Sequence, residues 1–221
     1  MIKDFTMKLY IYDHCPFCVR SRMIFGMKDI ECEIITLPND DEQTPTRLIG
    51  KKMLPVLVTE SHDAIGESLD IVKYIDESYG TSVLTVSDDL AIEVWMEEAT
   101  NLIFPLSIPR WANSDFEEFR QDKAREYFIK KKEAVFGPFI HLWEQTETMV
   151  TEINAKLEIL DSLVTRQGRD TGHFSLTDIR LFPLLRSLTI VKGIHRPPRV
   201  HEWLKEMAVI SRINLNDNIA I

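Results

Sequence analysis

Lys8-Leu9-Tyr10-Ile11-Tyr12-Asp13-His14-Cys15-Pro16-Phe17-Cys18-Val19 is the stretch on which the fold turns. Its first five residues, rich in aromatic and β-branched side chains, predict a strand. From Val19 to Lys28 the apolar Val19, Met23 and Ile24 recur at helical spacing, so a helix follows. Pro16 fits the first turn of that helix, where a missing N–H costs nothing. Cys15 therefore falls at the helix start, where unpaired N–H groups and the positive end of the dipole favour a thiolate. Cys18 lies one turn further on, shielded, and within reach of a disulfide with Cys15. The first thiol attacks and the second resolves.

Two blander readings compete. A structural zinc site takes four ligands, commonly two such cysteine pairs. Here only Cys32 remains, with His14 and His62 as the nearest imidazoles, and these spacings match zinc sites poorly. An inert buried pair is the other reading, but the polar Asp13-His14 ahead of the motif points to an exposed loop. Cys32 itself reads as a small hydrophobe packed in its strand. Three cysteines cannot frame a chain of 221 residues with disulfides, so a reducing, cytoplasmic compartment is expected.

Outward from the motif, Glu31 to Leu37 predicts a second strand, and Thr44-Pro45 an N-cap and N1 for a short helix stopped by Gly50. Leu54 to Thr59 is a third strand, and the turn Ser61-His62-Asp63 makes Ala64-Ile65 its antiparallel partner. Ser68 then caps a helix with Leu69, Val72 and Ile75 on one face, ending near Gly80. This β-α-β-α-β-β-α order is an α/β sandwich. Beyond residue 88 the period is helical throughout: Leu90 to Phe104, Phe116 to Val135, Phe139 to Val164, Ser175 to Val191 and Pro198 to Val209. Phe104 to Trp111, with two prolines, interrupts these helices. Ser175 and Asp178 form a capping box, Pro183 should kink its helix, and Trp95, Trp143 and Phe182 read as core. The expected plan is an α/β domain at 1–80, with 1–6 an extension, a polar linker at 81–88, and an all-α domain at 89–221.

Charge narrows the partners. There are 26 basic and 35 acidic residues, a net −9, split as −5 (9 against 14) before residue 80 and −4 (17 against 21) after it. No basic stripe is present, and Lys130-Lys131-Lys132 reads as a solvated helix face, so no nucleic acid is expected as partner. No segment approaches the ~20 apolar residues of a membrane span. Met1 to Thr6 shows no apolar core of a secretory signal.

Cys15-Pro16-Phe17-Cys18 resembles the Cys-Pro-Tyr-Cys centre of glutaredoxins, with Phe for Tyr, and not the Trp-Cys-Gly-Pro-Cys of thioredoxins. Leu54-Pro55 resembles the cis-Pro that faces the active cysteine in the thioredoxin superfamily. The residues alone leave cis and trans equally open; the resemblance implies cis, with the Leu54 backbone free to pair with an extended peptide. Glu67-Ser68 is similar to the pair that holds the γ-glutamyl group in glutathione transferases, beside the plainer readings of Ser68 as an N-cap and Glu67 as a solvated acid. Ser175-Leu176-Thr177-Asp178 resembles the helix-capping box of the same enzymes. Together these residues identify the chain as a member of the bacterial two-domain glutaredoxins.

That resemblance implies a thioredoxin-like α/β domain followed by an all-α, glutathione-transferase-like domain. It implies reduction of glutathione mixed disulfides and protein disulfides, with glutathione as co-substrate and no metal. The partners would be glutathione and glutathionylated or disulfide-containing proteins, with neither nucleic acid nor membrane, and the protein would act as a monomer. The site would comprise the Cys15–Cys18 redox pair, with Leu54, Pro55, Glu67, Ser68 and Phe17 at the glutathione. Single-domain glutaredoxins often carry Lys three residues before the nucleophile, where it meets the glycine carboxylate. Here that residue is Tyr12, and Lys51 or Lys52 can take the role from the loop before Leu54. Two alternatives remain. A glutathione transferase conjugating glutathione to electrophiles shares the plan but needs no Cys18, and a non-catalytic binding protein can use the same fold.

Overall fold

The computed structural model describes residues 6–85, 89–164 and 173–221. Of the expected extension only Thr6 is among them, and the expected linker lies outside them at 86–88. The described residues fall into two compact units interleaved along the chain. The first holds those up to Ser82 with Asp115–Phe128 and Ser211–Ile213. The second holds those of Val83–Ser114, Ile129–Ile210 and Asn214–Ile221.

The first unit follows the order read from the sequence: β1 (Lys8–Ile11), α1 (Pro16–Met27), β2 (Glu33–Thr36), α2 (Gln43–Ile49), β3 (Val56–Val58), β4 (Ala64–Ile65) and α3 (Ser68–Ser78). The sheet order is β2-β1-β3-β4, with β1 parallel to β2 and antiparallel to β3, and β4 antiparallel to β3. Alternation along β1 buries Leu9 and Ile11, and β3 is buried throughout. Helices α1 and α3 pack together, burying Val19, Met23 and Ile24 with Ile71, Val72 and Ile75. Gly26 has a steric reason: a Cβ there would collide with the main chain of Ser211.

Local details differ from expectation where side chains compete for the same backbone donors. Helix α2 starts at Gln43, because Asp41 Oδ1 rather than Thr44 serves the free donors, accepting the Thr44 N–H at 2.9 Å. Gly50 does end it, in the left-handed conformation. Ser68 is the first residue of α3 and not its cap; Glu67 holds the cap position at φ 61° without a side-chain cap bond. Cys32 lies just before β2 and is half-buried, its Sγ donating to the Met7 carbonyl at 3.4 Å. It is not a strand hydrophobe.

In the second unit, β5 (Leu84–Thr85) pairs in parallel with β6 (Phe174–Ser175). Around α4 (Leu90–Ala112) pack α6 (Phe139–Glu144), α7 (Thr146–Leu163) and α8 (Leu176–Leu188). The expected interruption at Phe104 to Trp111 is absent, since α4 runs through Pro105 and Pro109. An interior proline costs ~3 kcal/mol, but Ile103, Leu106, Ile108 and Trp111 are all at most 3% exposed. At ~1.5–3 kcal/mol for each buried side chain, their burial offsets both prolines. The stretch expected as one helix from Phe116 instead holds a 3₁₀ turn at Glu117–Phe119, in the first unit, and α5 at Asp122–Phe136, whose residues up to Phe128 belong there too. That from Phe139 breaks at Gln145 between α6 and α7. The Ser175/Asp178 capping box opens α8, and α9 spans Pro198–Ser211. Trp95 and Phe182 are buried, whereas Trp143 is half-buried beneath the Arg110 guanidinium, 4.3 Å from its ring centre. Among the described residues, no helix is long and apolar enough to cross a membrane.

Candidate active site

Cys15 occupies the N-cap of α1 in an extended conformation, with Pro16 next and the Val19 N–H returning to its carbonyl at 3.0 Å. Its residue is partly accessible, while Cys18 is fully buried in the first turn. The two sulfurs share a hydrogen bond, and this bond above all brings the Cys15 thiol down to about 6. Burial opposes that fall; the charge of His14 and the backbone N–H groups of Cys18 and Phe17 assist it. Burial and the neighbouring Cys15 push Cys18 well up. The Tyr12 N–H donates to the Cys18 sulfur at 3.4 Å. One thiol is poised as an anion and its neighbour is kept protonated.

His14 is not in an exposed loop. It is 6% exposed, its imidazole Nδ1 2.6 Å from Glu118 Oε1, and its backbone N–H donates to the same oxygen at 3.0 Å. The polarity of Asp13-His14 suggested solvent, but a carboxylate 104 residues away supplies the partner that burial demands. Tyr12, Phe116, Phe119 and Phe128 surround the ring at centroid distances of 5.1–6.2 Å. Burial alone would raise the Glu118 acid, yet the hydrogen bonds and charge of His14 hold it below its ordinary value.

The Leu54–Pro55 bond is cis, and both residues are buried at the mouth of β3. Ser68 is buried beside α1, its carbonyl accepting the Ser21 hydroxyl at 3.3 Å. Glu67 is exposed and pairs with Lys51 at 3.0 Å. Lys52 Nζ donates to the Asn39 carbonyl at 2.7 Å and lies 3.7 Å from the centre of the Tyr127 ring. The Tyr12 hydroxyl donates to the same carbonyl at 3.3 Å, so Tyr12 and Lys52 converge on Asn39. Tyr127 is fixed in turn by Glu42, at 2.5 Å. Phe17 is 46% exposed beside Cys15, with the Arg20 guanidinium over its ring. Asn39, Glu118 and Tyr127 were not singled out in the sequence. For Glu118 and Tyr127 the nearby signal is the apolar spacing of Phe116, Phe119 and Phe128, which does not say what it packs against; Asn39 carries none. Among the described residues no group of His, Cys, Asp or Glu is placed to hold a metal ion.

Comparison with known proteins follows the same lines. Residues 91–220 match the family model of the glutaredoxin 2 C-terminal domain, and 9–82 that of the glutathione S-transferase N-terminal domain. Glutaredoxin 2 of Escherichia coli K12 is 44% identical over 215 residues, 97% of this chain and 100% of that protein. The structure of Salmonella typhimurium glutaredoxin 2 in complex with glutathione superposes with a TM-score of 0.94 at 45% identity, covering 98% of this chain and 99% of that one. A glutathione S-transferase of Ceriporiopsis subvermispora shares the fold at 16% identity, with a TM-score of 0.69 over 93% and 98% of the two chains. With a poised Cys15–Cys18 pair on this fold, and likeness along nearly the whole length, the chain belongs to the glutaredoxin 2 family.

Proposed function

We propose that Cys15 is the nucleophile, and Cys18 the resolving thiol, of a glutathione-dependent thiol–disulfide oxidoreductase. The observation that carries this reading is the depressed Cys15 thiol at the start of α1, hydrogen-bonded to a buried, protonated Cys18. The Cys15 thiolate attacks the glutathione sulfur of a mixed disulfide. The old S–S bond breaks, the target leaves as its thiolate, and Cys15 is left bonded to glutathione. A second glutathione thiolate then attacks that sulfur, giving oxidised glutathione and free Cys15. One free glutathione is consumed in all, the other half of the oxidised glutathione coming from the mixed disulfide itself. For a protein disulfide, the target is first joined to Cys15, and Cys18 attacks Cys15 Sγ to release it, leaving the Cys15–Cys18 disulfide for glutathione to reduce.

The same reading gives Leu54, Pro55, Glu67, Ser68 and Phe17 to glutathione, with Tyr12 and Lys52 at its glycyl end. The buried cis Leu54–Pro55 unit and the convergence of Tyr12 and Lys52 on Asn39 support it. Lys51, paired with Glu67, suits the glycyl end less well. The reading also takes residues 1–80 and 89–221 as its two domains, and a monomer in the cytoplasm acting on glutathionylated proteins. The buried Cys18 disfavours a glutathione transferase, whose conjugation chemistry has no use for a resolving thiol.

The test is glutathione-dependent reduction of a small mixed disulfide. Cys15→Ser should abolish it, and Cys18→Ser should retain a substantial part, because only the monothiol route is needed. Equal losses would contradict the assigned roles, and conjugation of an aryl halide with no disulfide reduction would favour the transferase.

A further inference from the structure

Glu118 and His14 form a buried polar pair that the exchange chemistry above does not employ. Packing does not explain it. The His14 ring sits among four aromatic rings, where an apolar side chain would fill the space. A buried ion pair is seldom better for stability than hydrophobic side chains of its size. What sets this pair apart is its address. One carboxylate oxygen takes both the backbone N–H and the Nδ1 of the residue directly before Cys15, at 3.0 and 2.6 Å. Backbone and ring of residue 14 are thus pinned together by a group on a distant segment, itself 0% exposed.

From this geometry we infer that Glu118 is a positioning residue for Cys15, acting through His14 to fix the imidazole beside the nucleophile. The inference rests on Cys15 being the nucleophile. An opposite charge nearby favours the charged form of an ionisable group. Without the carboxylate the ring loses the partner that fixes it, and Cys15 loses the attraction that His14 provides. The other ionisable groups about the ring do not replace it. Asp13 is engaged by Arg22, Tyr12 and Cys18 carry no positive charge, and Arg125 lies over the Phe119 ring, 5.7 Å from its centre. Tyr127 and Asp41 act on Tyr12.

The experiment follows alkylation of Cys15 by iodoacetamide against pH in the full-length reduced protein, located on Cys15 by fragmentation mass spectrometry. Glu118→Gln keeps the shape and an acceptor for the His14 N–H and removes only the charge. His14→Gln keeps a neutral donor toward Glu118. Both should move the alkylation midpoint up by about one pH unit, and Glu118→Asp should restore part of the shift. A folded variant of either kind with an unmoved or lowered midpoint overturns the inference. If Glu118→Gln does not fold, His14→Gln decides alone; if neither folds, the pair is structural only and the inference fails. A wild-type protein with an ordinary midpoint and no mixed-disulfide activity would instead remove the functional reading itself.

Discussion

Replacing Cys18 by Ala tests the largest single influence that lowers the Cys15 thiol. The Cys18 hydrogen bond leads the causes that bring Cys15 down to about 6. A hydrogen bond to a charged group is worth ~1.5–3 kcal/mol, which at ~1.4 kcal/mol per unit is roughly one to two pH units. His14 and the N–H groups of Phe17 and residue 18 remain in the variant, so the thiol should not return fully to the ~8.5 of free cysteine. The sign follows from the thiolate being the attacking form. In the wild type, with the thiol at about 6, Cys15 should be mostly thiolate by pH 7. In Cys18→Ala about a tenth or less should be thiolate at pH 6.

Thiolates of higher pKa are intrinsically stronger nucleophiles, with a Brønsted slope of ~0.4–0.5. The alkylation profiles should therefore cross, the variant reacting more slowly near pH 6 and roughly threefold to eightfold faster near pH 9. Cys18→Ser, which keeps a hydroxyl donor, should lie between the two. Stopped-flow alkylation from pH 4 to 10, with the 240 nm thiolate absorbance as a second readout, gives both the midpoint and the plateau. A Cys18→Ala midpoint still near 6 would refute the assignment of the depression to the Cys18 thiol.

Gly26→Ala should destabilise the protein by about 1–3 kcal/mol in urea denaturation, since its Cβ meets the Ser211 main chain and not a side chain that can move. Ser175→Ala removes one half of the capping box of α8 and should cost ~1 kcal/mol without changing exchange activity. Lys52→Met should raise the KM for glutathione several-fold and leave kcat near its wild-type value, as expected of binding that is uniform through the reaction; an unchanged KM would take Lys52 out of the glycyl end of the site.

The α/β order was legible because its signals are local. A β-branched and aromatic run, a proline at N1 and a glycine in a left-handed stop each act within one turn of chain. So was the place of Cys15 at a helix start, although the Cys18 hydrogen bond lowers its thiol more than the backbone N–H groups there do. Legibility failed where a distant partner decides the outcome. Pro105 and Pro109 read as a break because each breaks a helix in isolation, and only burial of the surrounding apolar side chains keeps α4 continuous. Asp13-His14 read as solvent-facing because the carboxylate that satisfies His14 lies 104 residues away.

A Cys-x-x-C motif on a strand and a helix is self-contained in sequence, yet the first compact unit also includes Asp115–Phe128, with Glu118, Phe119 and Phe128 against His14. A chain cut after residue 80 would keep both cysteines, the cis-Pro pair and Glu67-Ser68. It would leave the His14 imidazole without its carboxylate and expose it where three phenylalanine rings now shield it. Removing one partner of a buried ion pair typically costs ~3–5 kcal/mol, a large share of the ~5–15 kcal/mol that holds a domain folded. Such a fragment should therefore be unstable and have a Cys15 alkylation midpoint above that of the full chain. Thermal melting and the alkylation profile of residues 1–80 beside the whole protein measure both. A fragment that melts like the full chain and keeps its midpoint near 6 would show that the redox centre needs nothing from 115–128.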